Sequence, residues 1–392
     1  LLWARPLMVD TDLGNRRKWD VSQGAEVTFS DNTRERMRVE FAFSATNPKS
    51  MSEKRTEISE LGEFGLIDQL AKGAVIKNPS TLKGIGDDGA VLDAGDQVTV
   101  VSTDLLLEGV HFDLAYTPLP HLGFKAVAVN VSDIAAMNAI PTQITVSLAL
   151  SNRFSVEAVQ ALYEGIYAAC EQYGVDLVGG DTTASRSGLV ISVTAMGQAK
   201  KEQLSYRSGA QVNDILCVTG DLGAALVGLQ ILEREKQVYL SNPDMKPELE
   251  KYTVVTGRQL RPDARMDIIH ELRELGVVPS SMIDISDGLA SEIFHLCKAS
   301  GVGATIYEDK LPIDKQTFDT AVELNLDPIT CVLNGGEDYE LLFTIDQKDF
   351  AKLEKHPDVH FIGHITKAEE GKFLVTKSGT AVQIKAQGWK HF

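Results

Sequence analysis

The chain has 392 residues, enough for two ordinary domains with cores of their own, and a hydrophobic fraction of 43% that is usual for a globular protein. A net charge of −17 argues against nucleic acid and anionic membrane surfaces as natural partners, because both demand basic surfaces. No apolar run approaches the roughly 20 residues of a membrane span, whereas a nucleotide that arrives with cations is compatible with an acidic protein.

The first fifty residues show no sustained helical or strand period, and their apolar start is interrupted by Arg5, Asp10 and Asp12, so they do not read as a signal peptide. Residues 1–50 are expected to be a non-native or disordered extension, with Met51 as the natural start before an amphipathic helix in "MSEKRTEISELGEFGLIDQL". "QVTVVSTD" alternates as a strand with Ser102 and Asp104 on one face and Thr103 on the other. "GFKAVAVNVSDIAAMNA" predicts a helix with an apolar stripe of Phe124, Val127, Val131 and Ile134, and Asp133 pointing away from it. Strand, helix and two further strands follow in "TQITVSLAL", "SVEAVQALYEGIYAACEQYGV", "DLVGGD" and "LVISVTAMGQA". A second round runs through "DILCVTG", "DLGAALVGLQILEREK", "SMIDISDG", "LASEIFHLCKAS" and "YELLFTI", and ends in short strands with turns at Glu370-Gly371 and Ser378-Gly379. Two domains result, over residues 51–203 and 204–392. Cys170, Cys217, Cys297 and Cys331 sit apart in apolar stretches without a C-x-x-C pair, which predicts reduced core thiols and a cytoplasmic setting.

"GIGDDG", from Gly84 to Gly89, matches the G-x-G-x-x-G pattern of a dinucleotide turn. Such a turn follows a strand and opens a helix. Here "KGAVIKNPSTLK" before it is a poor strand and "AVLDAGDQVTVVSTD" after it is strand-like, with a turn at Ala94-Gly95-Asp96. Asp87 and Asp88 would also repel a bare pyrophosphate. Acidic residues recur in the same kind of setting at "STD", "VSD", "GGDTT", "DISDG" and "GGEDYE". Any one of these is most simply a turn former or a helix cap, as Asp287 would be for the helix bearing Leu289, Ile293 and Leu296. Their recurrence points instead to hard oxygen ligands for Mg²⁺ shared with phosphates.

"GEFGLI", "GIGDDGAVL", "STDLLLEGVHF", "GFKAVAVNVSDIAAMNAIPT", "VGGDTT", "RSGAQVNDILCVTGDLG", "LRPDAR", "IDISDGL", "NGGEDYELLFT" and "GWKHF" occur in that order from Gly62 to Phe392. Together they resemble the thiamine-monophosphate kinase family, in the superfamily of aminoimidazole ribonucleotide synthetase. The resemblance implies a two-domain fold, α/β then α+β, in which residues 51–203 form an ATP- and Mg²⁺-binding domain. It also implies a homodimer whose N-terminal sheets pair into a shared barrel. The implied reaction is ATP-dependent phosphorylation of thiamine monophosphate to thiamine diphosphate with several Mg²⁺ ions. On the matching positions it implies Asp88, Ser102, Thr103, Asp104, Asp133, Asp181, Asp284 and Asp287 as metal ligands. Tyr163, Gly180, Asp181, Arg207 and Ser286 are implied as nucleotide contacts, and His111, Glu337 and Trp389 as contacts to the thiamine phosphate.

Without the resemblance, His111 reads as an ordinary core or surface histidine, Tyr163 as core, Arg207 as a surface charge and Trp389 as a packing anchor. Lys125, Arg261 and Arg265 are further candidate phosphate partners, or structural charges. The implied acceptor is a phosphate monoester with a second pKa of about 6, mostly dianionic at neutral pH, which needs no general base. That agrees with a chain lacking any Ser-His or Cys-His constellation, and it predicts direct in-line transfer without a phosphoenzyme. The competing expectations are another ATP-dependent enzyme of the same superfamily, such as the synthetase itself, and a non-catalytic Mg-ATP-binding protein on this scaffold.

Overall fold

The computed structural model describes residues 58–385. The expectations for residues 1–50 and for Trp389 lie outside the described residues.

Helix α1 (Ile58–Ala71) leads into two short strands, β1 (Thr81–Lys83) and β2 (Ala90–Asp93), and the long strand β3 (Val98–Leu107). Helix α2 (Leu119–Ala136), strand β4 (Ile140–Leu150), helix α3 (Val156–Tyr173), and strands β5 (Asp176–Ala184) and β6 (Val190–Ala199) complete a six-stranded mixed sheet of order β1-β2-β3-β6-β4-β5. Only β4 and β5 run parallel in it, as the helical crossover through α3 requires. Along β6 buried residues alternate with half-exposed ones, since α2 covers one face.

The second sheet begins with β7 (Ile215–Thr219) and, after helices α4 (Ala224–Ser241), α5 (Thr253–Leu260) and α6 (Met266–Glu274), continues with β8 (Ser281–Asp284). Helix α7 (Leu289–Ser300), strand β9 (Val302–Tyr307), helices α8 (Lys315–Glu323) and α9 (Pro328–Asn334), and strands β10 (Leu341–Ile345), β11 (Val359–Lys367), β12 (Lys372–Val375) and β13 (Ala381–Gln383) follow. Its order is β13-β12-β9-β11-β7-β10-β8, with only β9 and β12 parallel. The turns expected at Gly371 and Gly379 are present, with φ of +81° and +82°. Strand β9 escapes a pattern reading because "VGATIY" is short and mostly buried, so it shows little polar alternation.

Helix α2 departs from the amphipathic expectation. Leu122 to Ser132 and Ile134 to Ala136 are all buried, because the helix is wedged between α3, the first sheet, and β8 of the second sheet. Its crossing with α3 depends on two glycines. A Cβ on Gly123 would fall 1.9 Å from the Leu162 carbonyl oxygen, and one on Gly165 would fall 1.8 Å from that of Pro120. Gly165→Ala is expected to lower stability by about 3 kcal/mol, because backbone rather than a flexible side chain must move. An unchanged denaturation midpoint would show that the helices separate at little cost.

Cys217, Cys297 and Cys331 are buried free thiols, as expected, whereas the free thiol of Cys170 is only half-buried. No helix among the described residues is long and apolar enough to cross a membrane.

Candidate active site

The GIGDDG loop joins β1 to β2 and opens no helix, so the dinucleotide reading fails on local geometry. Gly86 has φ of +114°, and a Cβ on Gly89 would fall 2.6 Å from the Val100 side chain, so both glycines are needed to lay the loop against β3. Asp87 is spent on the loop itself: it accepts from the Arg207 backbone N–H at 3.0 Å and pairs with Lys83 at 3.2 Å. Asp88 is left to point into the protein.

Strand β3 delivers its residues by its pleat. Ser102 donates a short hydrogen bond to Asp133, whereas the Thr103 hydroxyl lies on the opposite face and donates to the Val193 carbonyl at 2.9 Å. The Thr103 hydroxyl therefore belongs to the sheet and not to the acidic centre. The Asp104 N–H donates to the Asn130 side chain at 3.0 Å, which fixes the strand against α2. Successive residues of α2 then face different partners: Asp133 meets Ser102 of the first sheet, and Ser132 donates to Asp284, at the end of β8, at 2.6 Å. Asp88, Asp133 and Asp284 each offer an oxygen within 4.8 Å of the others.

This centre is electrostatically tense. Burial, then the charges of Asp104, Asp284 and Asp88, push the Asp133 carboxyl well above the usual carboxylate range. Asp284 is raised to about 7, chiefly by burial and the Asp88 charge, against the opposing effects of Ser132 and Arg207. Asp104 is raised to about 6 by burial and Asp88. Asp88 is raised by burial, but the Arg207 guanidinium opposes that shift, donating to its Oδ1 from Nε at 3.1 Å and Nη2 at 2.5 Å. The other oxygen of Asp88, Oδ2, is buried without a hydrogen-bond partner.

The remaining candidates fall in other places. Tyr163, Gly180 and Asp181 line a cavity of about 540 Å³ together with Val146 and Leu177, along the exposed edge strand β5. Gly180 is obligatory there, since a Cβ would fall 1.8 Å from the Val146 carbonyl oxygen. Asp181 thus accompanies the nucleotide candidates rather than the three clustered carboxylates. Ser286 is exposed between β8 and α7, and its carbonyl accepts from the Glu337 N–H at 2.7 Å. Asp287 does not take the cap position of α7: Gly288 does, and Glu292 reaches back to the Asp287 N–H at 3.1 Å. His111 lies in the turn after β3, where its Nδ1 accepts from the Leu107 N–H at 3.0 Å.

Glu337 adopts φ of +65° and its Oε2 accepts from Lys125 at 2.9 Å and from the Gln259 side chain at 2.6 Å. Lys125 is thereby taken up by a carboxylate. Arg265 is likewise committed to Glu340 and Asp267, and Arg261 lies 3.9 Å from the Phe124 ring centroid. Sequence reasoning missed Asn130, Ser132, Gln259 and the buried Glu292. Only Ser132 carried a signal, its adjacency to Asp133 in "VSD".

Two sheets joined through α2, with carboxylates from both converging, define a class that the family comparison makes explicit. Residues 86–199 match the AIR synthase related protein N-terminal domain and residues 211–376 the corresponding C-terminal domain. Thiamine-monophosphate kinase of Bacillus subtilis is 34% identical over 339 residues, 85% of this chain and 100% of that protein. The Aquifex aeolicus thiamine-monophosphate kinase is 35% identical over 336 residues, 86% of this chain and 99% of that protein. A solved structure of AaThiL complexed with AMPPCP and TMP superposes with a TM-score of 0.73 at 32% identity, covering 86% of this chain and 99% of that one. The chain belongs to the thiamine-monophosphate kinase family and is an enzyme.

Proposed function

We propose that the protein transfers the γ-phosphoryl group of ATP directly to thiamine monophosphate, forming thiamine diphosphate. The observation that carries this reading is the convergence of Asp88 from the first sheet, Asp133 from α2 and Asp284 from the second sheet into one largely buried centre, in a chain of this family. The AaThiL complex with AMPPCP and TMP supports ATP and thiamine monophosphate as the two substrates.

The residues fit Mg²⁺. All the clustered donors are hard carboxylate or hydroxyl oxygens, Asp88 Oδ2 is buried and unpartnered, and the carboxyl groups are raised by burial and by mutual repulsion, both of which a cation offsets. Asp88, Asp104, Asp133 and Asp284 would hold the ions, with Ser102 fixing Asp133, and Asp181, Asp287 and Thr103 as the weaker candidates. When bound, Mg²⁺ supplies positive charge against the phosphates of both substrates. Arg207 adds a guanidinium beside Asp88, suited to a phosphate oxygen. Tyr163, Gly180 and Asp181 line a cavity suited to nucleotide, with Ser286 as a further contact; His111, Glu337 and Trp389 hold the acceptor. No residue need remove a proton, because the acceptor phosphate is already a dianion at neutral pH. The half-exposed face of the first sheet would pair with that of a second copy into a shared barrel.

The test is an assay with ATP, Mg²⁺ and thiamine monophosphate that scores thiamine diphosphate, with thiamine and formylglycinamidine ribonucleotide as parallel acceptors. Product from the monophosphate alone is expected. Turnover of the ribonucleotide instead would move the protein to the synthetase side of the superfamily.

A further inference from the structure

Lys125 is 2% exposed in the middle of α2, where an isolated ammonium would be costly. It donates to Glu337 Oε2 at 2.9 Å and to the Gln259 carbonyl at 3.2 Å, while the Gln259 amide donates to the same Oε2 at 2.6 Å. Three elements thus meet on one carboxylate oxygen: α2, α5, and the loop after α9. The loop is held independently, since the Glu337 N–H donates to Ser286 and a Cβ on Gly336 would fall 2.3 Å from the Ser286 carbonyl oxygen. Glu337 and Tyr339 both take left-handed backbone, with φ of +65° and +52°, a conformation such residues adopt only when their surroundings impose it. The Tyr339 N–H donates to the Ile285 carbonyl at 2.9 Å, next to Asp284, so this loop borders the acidic centre.

The donors are all on one side of Glu337. Oε2 has an ammonium and an amide, and no hydrogen bond reaches Oε1 from the described residues, although the side chain keeps 26% of its exposure. We propose that Lys125 and Gln259 are positioning residues that clamp Glu337 by Oε2 and turn Oε1 toward the acceptor as a fixed hydrogen-bond acceptor. The chemistry this favours is an acceptor substrate that presents an amino group or a ring cation. A thiamine moiety carries both, as an aminopyrimidine and a thiazolium. The inference rests on Glu337 contacting the acceptor, as proposed above.

The test compares Glu337→Gln, Lys125→Met, Gln259→Met and the double variant Lys125→Met/Glu337→Gln in the full protein, measuring KM for each substrate and kcat. Lys125→Met is expected to raise KM for thiamine monophosphate about thirtyfold, and Gln259→Met about tenfold, with KM for ATP within threefold of the parent. Gln259→Met leaves the buried ion pair in place and so remains informative if Lys125→Met folds poorly. The double variant, which removes both charges of the pair, should be no worse than Glu337→Gln alone, because Lys125 acts through Glu337. Multiplied losses in the double variant would mean that Lys125 binds substrate directly, and equal rises in both KM values would mean a merely structural role; either overturns the inference. A raised KM in Glu337→Gln with none in Lys125→Met or Gln259→Met overturns the inference alone. An unchanged KM in Glu337→Gln overturns the reading of Glu337 itself.

Discussion

Asp133→Asn should lower kcat roughly a thousandfold, about 4 kcal/mol of transition-state stabilisation, while raising the thermal stability of the metal-free protein. Both effects come from one cause. Burial and the charges of Asp104, Asp284 and Asp88 all disfavour an ionised Asp133, with the Ser102 hydroxyl opposing them, so in the absence of cations its charge is a burden on the fold. Asparagine keeps the shape and removes the charge, and with it the attraction for Mg²⁺. Near-normal turnover would remove Asp133 from the ion-holding set.

The same centre fixes a pH dependence. Asp284 at about 7 and Asp104 at about 6 lie above the value of about 4 expected in an unfolded chain. Between those values the folded state binds more protons than the unfolded one, so this contribution to stability is complete below about pH 4 and is lost as pH rises through about 7. The melting temperature of metal-free protein should therefore fall from about pH 5 to pH 7.5, less steeply in Asp133→Asn, and Mg²⁺ should flatten the decline. A metal-free melting temperature that rises over that range would contradict the clustering.

Glu340→Gln is expected to destabilise the protein by about 4 kcal/mol, read as a lowered denaturant midpoint with an unchanged m value. Glu340 is fully buried, and its two oxygens take Arg258 at 2.7 Å, Arg265 at 2.7 Å and the Thr219 hydroxyl at 2.5 Å. The amide would leave both guanidiniums undercompensated and turn its NH₂ toward one of them. Gly220 packs closely on the carboxylate, since a Cβ there would fall 2.3 Å from Glu340 Oε1. Two residues earlier, Asp338 accepts from the Gly223 N–H at 2.8 Å and ties the loop to the start of α4. A loss under about 1 kcal/mol would mean that water replaces the missing charge at little cost.

The alternation of "QVTVVSTD" was enough to separate Ser102 and Asp104 from Thr103, because a strand's pleat is a local property with a period of two. The missing helix after Gly89 likewise argued against a dinucleotide turn from local sequence, whereas the need for glycine at 89 comes from its contact with Val100 of β3. The surroundings of α2 were not legible: the stripe through Phe124, Val127, Val131 and Ile134 is real, but the opposite side is buried as well, against a second sheet formed far along the chain. Asp181 and Asp88 both sit in glycine-rich stretches of the sequence, yet one lies on an exposed edge strand and the other in the buried centre.

By itself, then, the sequence determined the alternating element types, the glycine turns and the supply of carboxylate and hydroxyl oxygens at element ends, all set by neighbours within a few residues. Which carboxylates converge, which oxygen of Glu337 is clamped, and that Lys125 belongs to a carboxylate and not to a phosphate were decided only by tertiary structure. Lys125 and Glu337 stand 212 residues apart. A contact of that separation is fixed by how the two sheets pack around α2, and no local periodicity encodes it.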